Sequence, residues 1–173
     1  SDTALALVIA TNAVVQFHED AAYTDGVDTY LTKNDVVFVA VYDTDENRNP
    51  QAIETVTVTV FVGNDTDGIL YDTEILTLTE SGETTGIFRS GALAVVDSEA
   101  ASFLNQNGRF GVGSSDTLHA NYSDADDASD VRSDTALIVP LVTQSIMALC
   151  EDAGYTDDVD TYLTRAAMFI AVY

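Results

Sequence analysis

This chain begins a second copy of its own sequence before it ends. Residues 1–32 align without gaps with residues 133–164, an offset of 132 positions, and 18 of the 32 aligned residues are identical. The motif SDTAL opens both copies, at Ser1 and at Ser133. A period of this length is typical of whole domains in tandem, because the units of solenoid proteins span roughly 20–50 residues. The repeat constrains the fold more than any other feature of the sequence.

The repeat also predicts how the chain is divided. We predict one complete repeat in residues 1–132 and the N-terminal third of a second repeat in residues 133–173. The second copy loses one residue where KNDVVFVAVY (33–42) aligns with RAAMFIAVY (165–173). Since this copy stops within an apolar strand pattern, we expect the chain to be a piece of a longer polypeptide.

Within one repeat the hydrophobic pattern is almost entirely that of β-strands. In ETVTVTVFV (54–62) valines alternate with threonines, which is typical of a strand with one buried face. VVFVAVY (36–42) is apolar throughout, as expected of a strand buried on both faces. Five further strand patterns, separated by Gly-, Asn- and Asp-rich turns, lie at 3–15, 73–80, 86–96, 109–113 and 116–122.

This spacing of short strands and turns decides the predicted fold class. We predict an all-β fold, an immunoglobulin-like antiparallel β-sandwich of about seven strands, tandemly repeated. The one segment with a helical pattern is 97–106, which is long enough for two turns at most.

The charge of the chain restricts its partners. It carries 29 Asp and Glu residues against 6 Lys and Arg, a formal net charge of −23. Such a surface repels nucleic acid and anionic lipid, so cations are the expected partners. No apolar run approaches the roughly 18 residues that a membrane span requires. The single Cys150 excludes an internal disulfide framework.

The first candidate cation site is the loop YDTDENRNP (42–50). Asp43, Asp45, Asn47 and Asn49 alternate directly after a buried strand pattern, and alternate oxygen side chains on a tight loop can converge on Ca²⁺. An EF-hand is excluded, because Arg48 stands where that loop requires glycine. The alternative is a solvated turn held by Asx hydrogen bonds.

A second acidic cluster is EDAAYTDGVD (19–28). Its candidate ligands are Asp25 and Asp28, and the second copy has Asp157 and Asp160 at the equivalent positions. The neighbouring strand patterns differ more between the two copies than these acids do. A specific role for the loop and shared ancestry without a role both explain this contrast.

The third cluster, YSDADDASDVRSD (122–134), spans the junction between the copies. Repulsion among closely spaced carboxylates would become a clamp if a divalent cation bound them. The alternative is a flexible acidic linker that needs no ion. The candidate ligands are Asp124, Asp126, Asp127, Asp130 and Asp134.

A family resemblance rests on VFVAVYDTDENRNPQAIETVTVTV, EILTLTESGETTGIFRSG and SDTLHANYSDADDASD. Together these stretches resemble the tandem immunoglobulin-like, cadherin-like repeats of very large bacterial and archaeal surface proteins. The resemblance implies a location on the cell surface and Ca²⁺ bound in loops between domains. It also implies that the 43–49 loop and the 124–134 junction carry that role.

The function predicted from these features is structural. We expect a module of an extracellular adhesin stalk or filament, rigidified by Ca²⁺ and joined to neighbouring repeats or subunits, including by strand complementation. The sequence contains no catalytic motif, so an enzyme is not expected. The alternatives are a glycan-binding sandwich and a salt-adapted acidic surface-layer protein without specific ion sites. Glycans on the protein itself have two candidate sequons, at Asn64 and Asn121.

Overall fold

The computed structural model describes residues 11–31, 35–64, 69–97, 105–113, 115–140, 147–150 and 169–172. Within these ranges all regular structure is β, and no helix is present. The chain divides into two compact units, Ser1–Leu141 and Val142–Tyr173. The strands of the first unit are β1 (Val14–His18), β2 (Thr29–Leu31), β3 (Val36–Tyr42), β4 (Thr55–Asn64), β5 (Ile69–Glu80), β6 (Ile87–Arg89), β7 (Leu93–Asp97), β8 (Arg109–Val112), β9 (Thr117–Ser123) and β10 (Val131–Val139). Those of the second unit are β11 (Met147–Cys150) and β12 (Phe169–Val172).

The first unit is built from one ten-stranded mixed sheet. Its strands run in the order β2-β10-β9-β4-β5-β6-β3-β7-β8, and β1 pairs with β3 beside that path. The β10–β2 and β7–β8 pairs are parallel, and the other pairs are antiparallel. The prediction of an all-β fold is therefore confirmed, whereas the predicted purely antiparallel set of about seven strands is incomplete.

The sheet encloses a single hydrophobic core. Val56, Val58, Val60 and Val62 of β4 point into the core, as the alternation with threonine predicts. β1 packs against β9 and β10 without pairing with them, and β8 packs against β4 and β5. The two halves of the sheet thus face each other across the core, which is compatible with a β-sandwich.

The strand predicted at 86–96 is interrupted at Ser90, and a side chain explains the break. The Ser90 backbone N–H donates to the Val39 carbonyl at 2.9 Å, but the Val39 N–H donates to Ser90 Oγ instead of a carbonyl, also at 2.9 Å. The hydroxyl replaces a backbone acceptor, so the ladder stops and restarts at Leu93, which pairs with Val37. The exchange of a carbonyl acceptor for a hydroxyl does not alter the hydrophobic pattern, so the sequence pattern does not indicate this break.

Two other predicted elements fall partly outside the described residues. Of the strand pattern at 3–15, residues 1–10 lie outside them, and β1 begins at Val14. Of the helical pattern at 97–106, residues 98–104 lie outside them, while Asp97 ends β7 and Asn105 lies in a turn.

β10 crosses the position where the sequence repeat begins again. Its residues from Ser133 onward belong to the second sequence copy, yet they pair with β9 of the first unit, from Val131 opposite Ser123 to Leu137 opposite Thr117. Ala136 and Ile138 are buried in the core of that unit. The compact unit therefore extends nine residues past the 132/133 boundary of the sequence repeat.

The second unit is described only at β11 and β12, which form an antiparallel pair. Met147 lies opposite Val172, and Cys150 lies opposite Phe169. By the alignment of the two sequence copies, these positions correspond to the Val15–Val41 and His18–Phe38 pairs of β1 and β3. The two copies therefore pair the corresponding residues in the same register.

Candidate metal centre

Asp43 directly follows β3, and contacts with Gly86 and with β9 hold it in a buried position. Only 1% of the residue is exposed. Its backbone N–H donates to the Gly86 carbonyl at 2.8 Å, and its Oδ2 accepts a 2.7 Å hydrogen bond from the hydroxyl of Tyr122 on β9. Gly86 has a φ of +58°, and an added Cβ would lie 2.8 Å from the Asp43 carbonyl oxygen. Glycine is needed there both for the backbone conformation and for the close approach.

Asp124 directly follows β9 and begins the loop that leads to β10. It is 4% exposed. Its N–H donates to the Asp130 carbonyl at 3.0 Å, and its Oδ1 accepts the N–H of Asp126 at 2.7 Å. The loop is thus a compact turn whose first carboxylate is fixed by the chain that follows it.

These two loops bring three carboxylates together. Asp43, Asp45 and Asp124 each offer one oxygen, and the three oxygens lie within 4.8 Å of one another. Asp43 and Asp124 are buried, and Asp45 is partly buried. The sequence places Asp43 and Asp45 in one candidate site and Asp124 in another, whereas the structure unites them in a single group.

Three buried oxygens in these loops accept no hydrogen bond from the described residues. They are Asp43 Oδ1, Asn47 Oδ1 and Asp124 Oδ2. A buried acceptor without a partner costs about 1–3 kcal/mol, more if it is charged. Carboxylate and amide oxygens are the ligands that hard cations such as Ca²⁺ prefer. The donor set of the two loops therefore fits a hard divalent cation.

The pKa values of the two neighbouring acids diverge. Burial, and after it the adjacent Asp45, raises the pKa of Asp43 from its ordinary 3.8 to about 7. Burial also disfavours ionisation of Asp45, but hydrogen bonds from Asp43 and Thr11 outweigh it and lower the pKa of Asp45. A proton and a cation would therefore compete for the oxygens of Asp43.

An arginine joins the two loops beside this group. Arg48 donates through Nη2 to both carboxylate oxygens of Glu46 at 2.6 Å, and its Nε lies 3.1 Å from Asp126 Oδ2. Glu46 is buried, and this burial raises its pKa although Arg48 opposes the shift. Asp126 is thereby directed toward Arg48 and does not belong to the three-carboxylate group.

Two other predicted ligands stabilise their own turns. Asn49 Oδ1 accepts the N–H of Gln51 at 3.2 Å, the Asx hydrogen bond that was the alternative to a cation site. Asp127 Oδ1 accepts both the N–H and the hydroxyl of Ser129, and these bonds lower the pKa of Asp127.

Asp130 and Asp134 connect β10 to β1. Asp130 Oδ2 accepts the N–H of Ala13 at 2.7 Å, and its Oδ1 forms a 2.7 Å ion pair with Arg132. Asp134 Oδ2 accepts the N–H of Phe17 at 2.8 Å. These carboxylates replace the missing backbone partners of β1 on the side away from β3.

Asp25 and Asp28 are exposed, and their described hydrogen bonds are made by the main chain. The Asp25 carbonyl bonds His18 Nδ1 at 2.8 Å, and the Asp28 carbonyl accepts the N–H of Leu137 at 2.7 Å. Neither joins a group of three or more possible ligands within the described residues.

Several supporting residues were not predicted. Tyr122 and Gly86 position Asp43, and Thr11 donates to Asp45. One sequence pattern indicates a role for Tyr122. The alternation in DTLHANY (116–122) places its side chain in the core, two residues before Asp124. Of the two sequons, Asn121 is exposed on β9, and the Thr66 of the other lies outside the described residues.

No protein-family model matches the chain, and no curated protein sequence matches it.

In the part of the chain that the structure describes, no helix has the length and apolar character needed to span a bilayer.

Proposed function

We propose that this chain is a structural module of an extracellular adhesin stalk or filament, built from tandem immunoglobulin-like repeats and rigidified by Ca²⁺. The observation that carries the proposal is the group formed by Asp43, Asp45 and Asp124. Carboxylates from two loops, 79 or more positions apart in sequence, meet there, and Asp43 and Asp124 each have one buried oxygen that accepts no hydrogen bond from the described residues. One ion at this point neutralises their repulsion and ties the two loops together.

The location of the group gives the ion a mechanical role. Asp124 begins the turn that leads into β10, and β10 is the last strand of the first unit. A cation that holds Asp124 against Asp43 therefore restrains the segment through which the chain leaves that unit. A module that provides length and stiffness requires restraint at such a point.

The chemistry of the group favours Ca²⁺ over other divalent ions. All the candidate donors are oxygens, whereas Zn²⁺ and copper sites normally include nitrogen or sulfur ligands. Mg²⁺ retains several waters and demands a near-ideal octahedron. Oxygens contributed by two separate loops suit the larger and geometrically more tolerant ion.

Two features support a tandem arrangement with strand complementation. β11 and β12 pair the residues that correspond to β1 and β3, in the same register. β10 shows that residues of the second sequence copy complete the sheet of the first unit. The same pairing of an SDTAL strand onto β9 can be made within one long chain or between subunits.

Terbium luminescence tests the cation site directly. Tb³⁺ occupies Ca²⁺ sites and is sensitised by nearby tyrosine, and the Tyr122 hydroxyl bonds an Asp43 carboxylate in a chain that lacks tryptophan. We expect emission on excitation of tyrosine, competition by CaCl₂ and little competition by MgCl₂. The signal should disappear in Asp124→Asn and persist in Asp28→Asn, which removes one exposed acid.

Thermal unfolding of the full chain tests the stabilising role. A site with a Kd tenfold to a hundredfold below the Ca²⁺ concentration adds about 1.4–2.7 kcal/mol of unfolding free energy. This corresponds to a rise of roughly 3–10 °C for a domain of this size. Equal midpoints in CaCl₂ and in EDTA at matched ionic strength would contradict the proposal and favour a salt-adapted surface protein without ion sites.

A further inference from the structure

One face of the sheet differs from the rest of this acidic molecule. β5, β4, β9 and β10 are consecutive neighbours, and their outward side chains form one surface, here called the hydroxyl face. On β4 the outward residues are Thr55, Thr57, Thr59 and Phe61, since the valines between them enter the core. The ladders place Thr77 and Thr79 of β5, Asn121 and Ser123 of β9, and Ser133 and Thr135 of β10 on the same side.

The outward strand positions of the hydroxyl face carry no Asp, Glu, Lys or Arg, and the charged residues Glu46 and Arg48 line a depression together with Thr55, Thr57 and Ser123. Its fifteen outward positions lie at every second residue of 55–61, 73–79, 119–123 and 131–137. At the chain-wide charged share of 20%, about three of them would be charged if acids and bases were spread evenly. The acids of these strands occupy inward positions instead, as Asp72 and Glu74 do on β5.

The composition of the face makes it complementary to itself. A hydroxyl both donates and accepts hydrogen bonds, as does an amide, so a Thr-, Ser- and Asn-bearing surface can pair with an identical one. A carboxylate surface cannot pair with its copy, because carboxylates only accept hydrogen bonds and the two negatively charged surfaces repel each other. The exposed apolar side chains of Ile75, Val131 and Leu137, between 44% and 57% exposed, add area that gains from leaving water.

We propose that a second copy of this chain docks on the hydroxyl face, sheet against sheet. The charge of the molecule favours a second copy as the partner. A basic protein would bind the surfaces that carry the 29 acidic residues, and the outward positions of this face carry no acidic residue. Two copies, each with a net charge of −23, can approach closely only where no carboxylate is desolvated, and this face is such a surface.

The size of the face sets the expected strength of the contact. Four strands that lie about 4.8 Å apart, each with seven residues at a rise of about 3.4 Å per residue, cover roughly 450 Å² per copy. A stable interface buries about 800 Å² per partner, so a single pair of modules should associate weakly. In a tandem protein many such faces lie on one chain, and multivalency then strengthens lateral association; this last step rests on the proposed function.

Sedimentation equilibrium of the full chain in EDTA tests the docking. We expect a weight-average mass that rises above 18.5 kDa with concentration. We also expect the apparent Kd to fall by about threefold or more between roughly 0.1 M and 1 M NaCl, since salt screens the repulsion between copies. EDTA separates this test from the cation site, because the docking needs no ion.

Substitutions at the centre of the face locate the contact. Thr57→Glu with Asn121→Glu places two carboxylates there, and the apparent Kd should rise by about tenfold or more. The matched control is Thr84→Glu with Gln51→Glu, which adds the same two charges at exposed turn positions off the face. Thr77→Glu with Ser123→Glu repeats the test if the first pair does not fold, as judged by circular dichroism.

Three results would overturn the docking. The first is a mass that stays at 18.5 kDa at all concentrations and salts. The second is equal weakening by the control pair. The third is a monomer that binds a soluble polysaccharide in a manner abolished by Thr57→Glu, which would assign the face to a glycan.

Discussion

The hydroxyl of Tyr122 donates a 2.7 Å hydrogen bond to Asp43, which lies 79 positions earlier in the chain. Both residues are buried. Burial, and after it the Asp43 carboxylate, raises the pKa of Tyr122, so the phenol remains a donor at all physiological pH values. This bond fixes one Asp43 oxygen, and the other, Oδ1, accepts no hydrogen bond from the described residues.

Removal of the Tyr122 hydroxyl should therefore weaken the fold. Tyr122→Phe leaves Asp43 Oδ2 buried without its donor, at an expected cost of about 1–3 kcal/mol of unfolding free energy. Urea denaturation in EDTA measures it. The control is Tyr42→Phe, since the Tyr42 hydroxyl is 3.4 Å from His18 Nε2 in a half-buried site and should matter less. A loss no larger than that of the control would mean that the Tyr122–Asp43 bond contributes little.

The raised pKa of Asp43 predicts a pH dependence in the absence of cations. In the folded chain this pKa is about 7, against 3.8 as the ordinary value, so between these limits the folded state binds more protons than the unfolded state. Stability should therefore fall as pH rises from about 4 to 7, by an amount on the order of 3 kcal/mol, and then level off.

The pH dependence has its own control. Asp43→Asn cannot ionise, so the fall between pH 4 and 7 in EDTA should be much reduced in that variant, as measured by urea denaturation at each pH. An unchanged slope would assign the effect to other carboxylates. In saturating Ca²⁺ the wild-type slope should reverse, because protons and the cation compete for the same oxygens.

Neutralisation of two ligands should have opposite effects with and without Ca²⁺. Asp43→Asn with Asp45→Asn relieves repulsion, so it should raise the melting temperature in EDTA, and it should abolish the rise that CaCl₂ gives the wild type. Asp25→Asn with Asp28→Asn removes the same charge from exposed positions and should preserve the Ca²⁺ effect. Parallel changes in both conditions would exclude the loop as a cation site.

The sequence predicted individual strands better than the pairing of strands distant in sequence. The bounds of β3 match the apolar run at 36–42, and β4 follows the Val/Thr alternation, because burial of one or both faces acts directly on these patterns. β10 was not assigned to the first unit, since a repeat period fixes a length but not the residue at which the compact unit ends. The short β2, a parallel neighbour of β10, has no strong pattern of its own.

The candidate site was predicted in two halves for the same reason. Asp43 and Asp45 were identified from their spacing after a buried strand, and Asp124 from the density of acids at the junction. Their meeting depends on the order β9-β4-β5-β6-β3 and on the Tyr122–Asp43 bond, which are set by the packing of distant strands. Local spacing contains no information about that packing.

The glycine at position 86 should be essential for the site. Gly86→Ala requires an alanine at φ +58° and places its Cβ 2.8 Å from the Asp43 carbonyl oxygen and from Thr44 Cα. We expect a loss of about 2–4 kcal/mol in unfolding free energy, together with weaker Tb³⁺ emission. Gly91→Ala is the matched control, since an added Cβ meets no atom within 4 Å there. Comparable losses from both substitutions would show that the conformation of Gly86 is not required.

A last substitution distinguishes a carboxylate that supports the backbone from one that binds an ion. Asp134 is among the candidate ligands of the junction, but its Oδ2 accepts the N–H of Phe17, a residue that is 0% exposed. Asp134→Ala leaves that N–H without an acceptor, so unfolding free energy should fall by about 1–3 kcal/mol, equally in CaCl₂ and in EDTA. Asp134→Asn keeps an acceptor oxygen and should recover most of the loss. A loss confined to CaCl₂, measured by urea denaturation in both buffers, would instead make Asp134 a ligand and extend the cation site along β10.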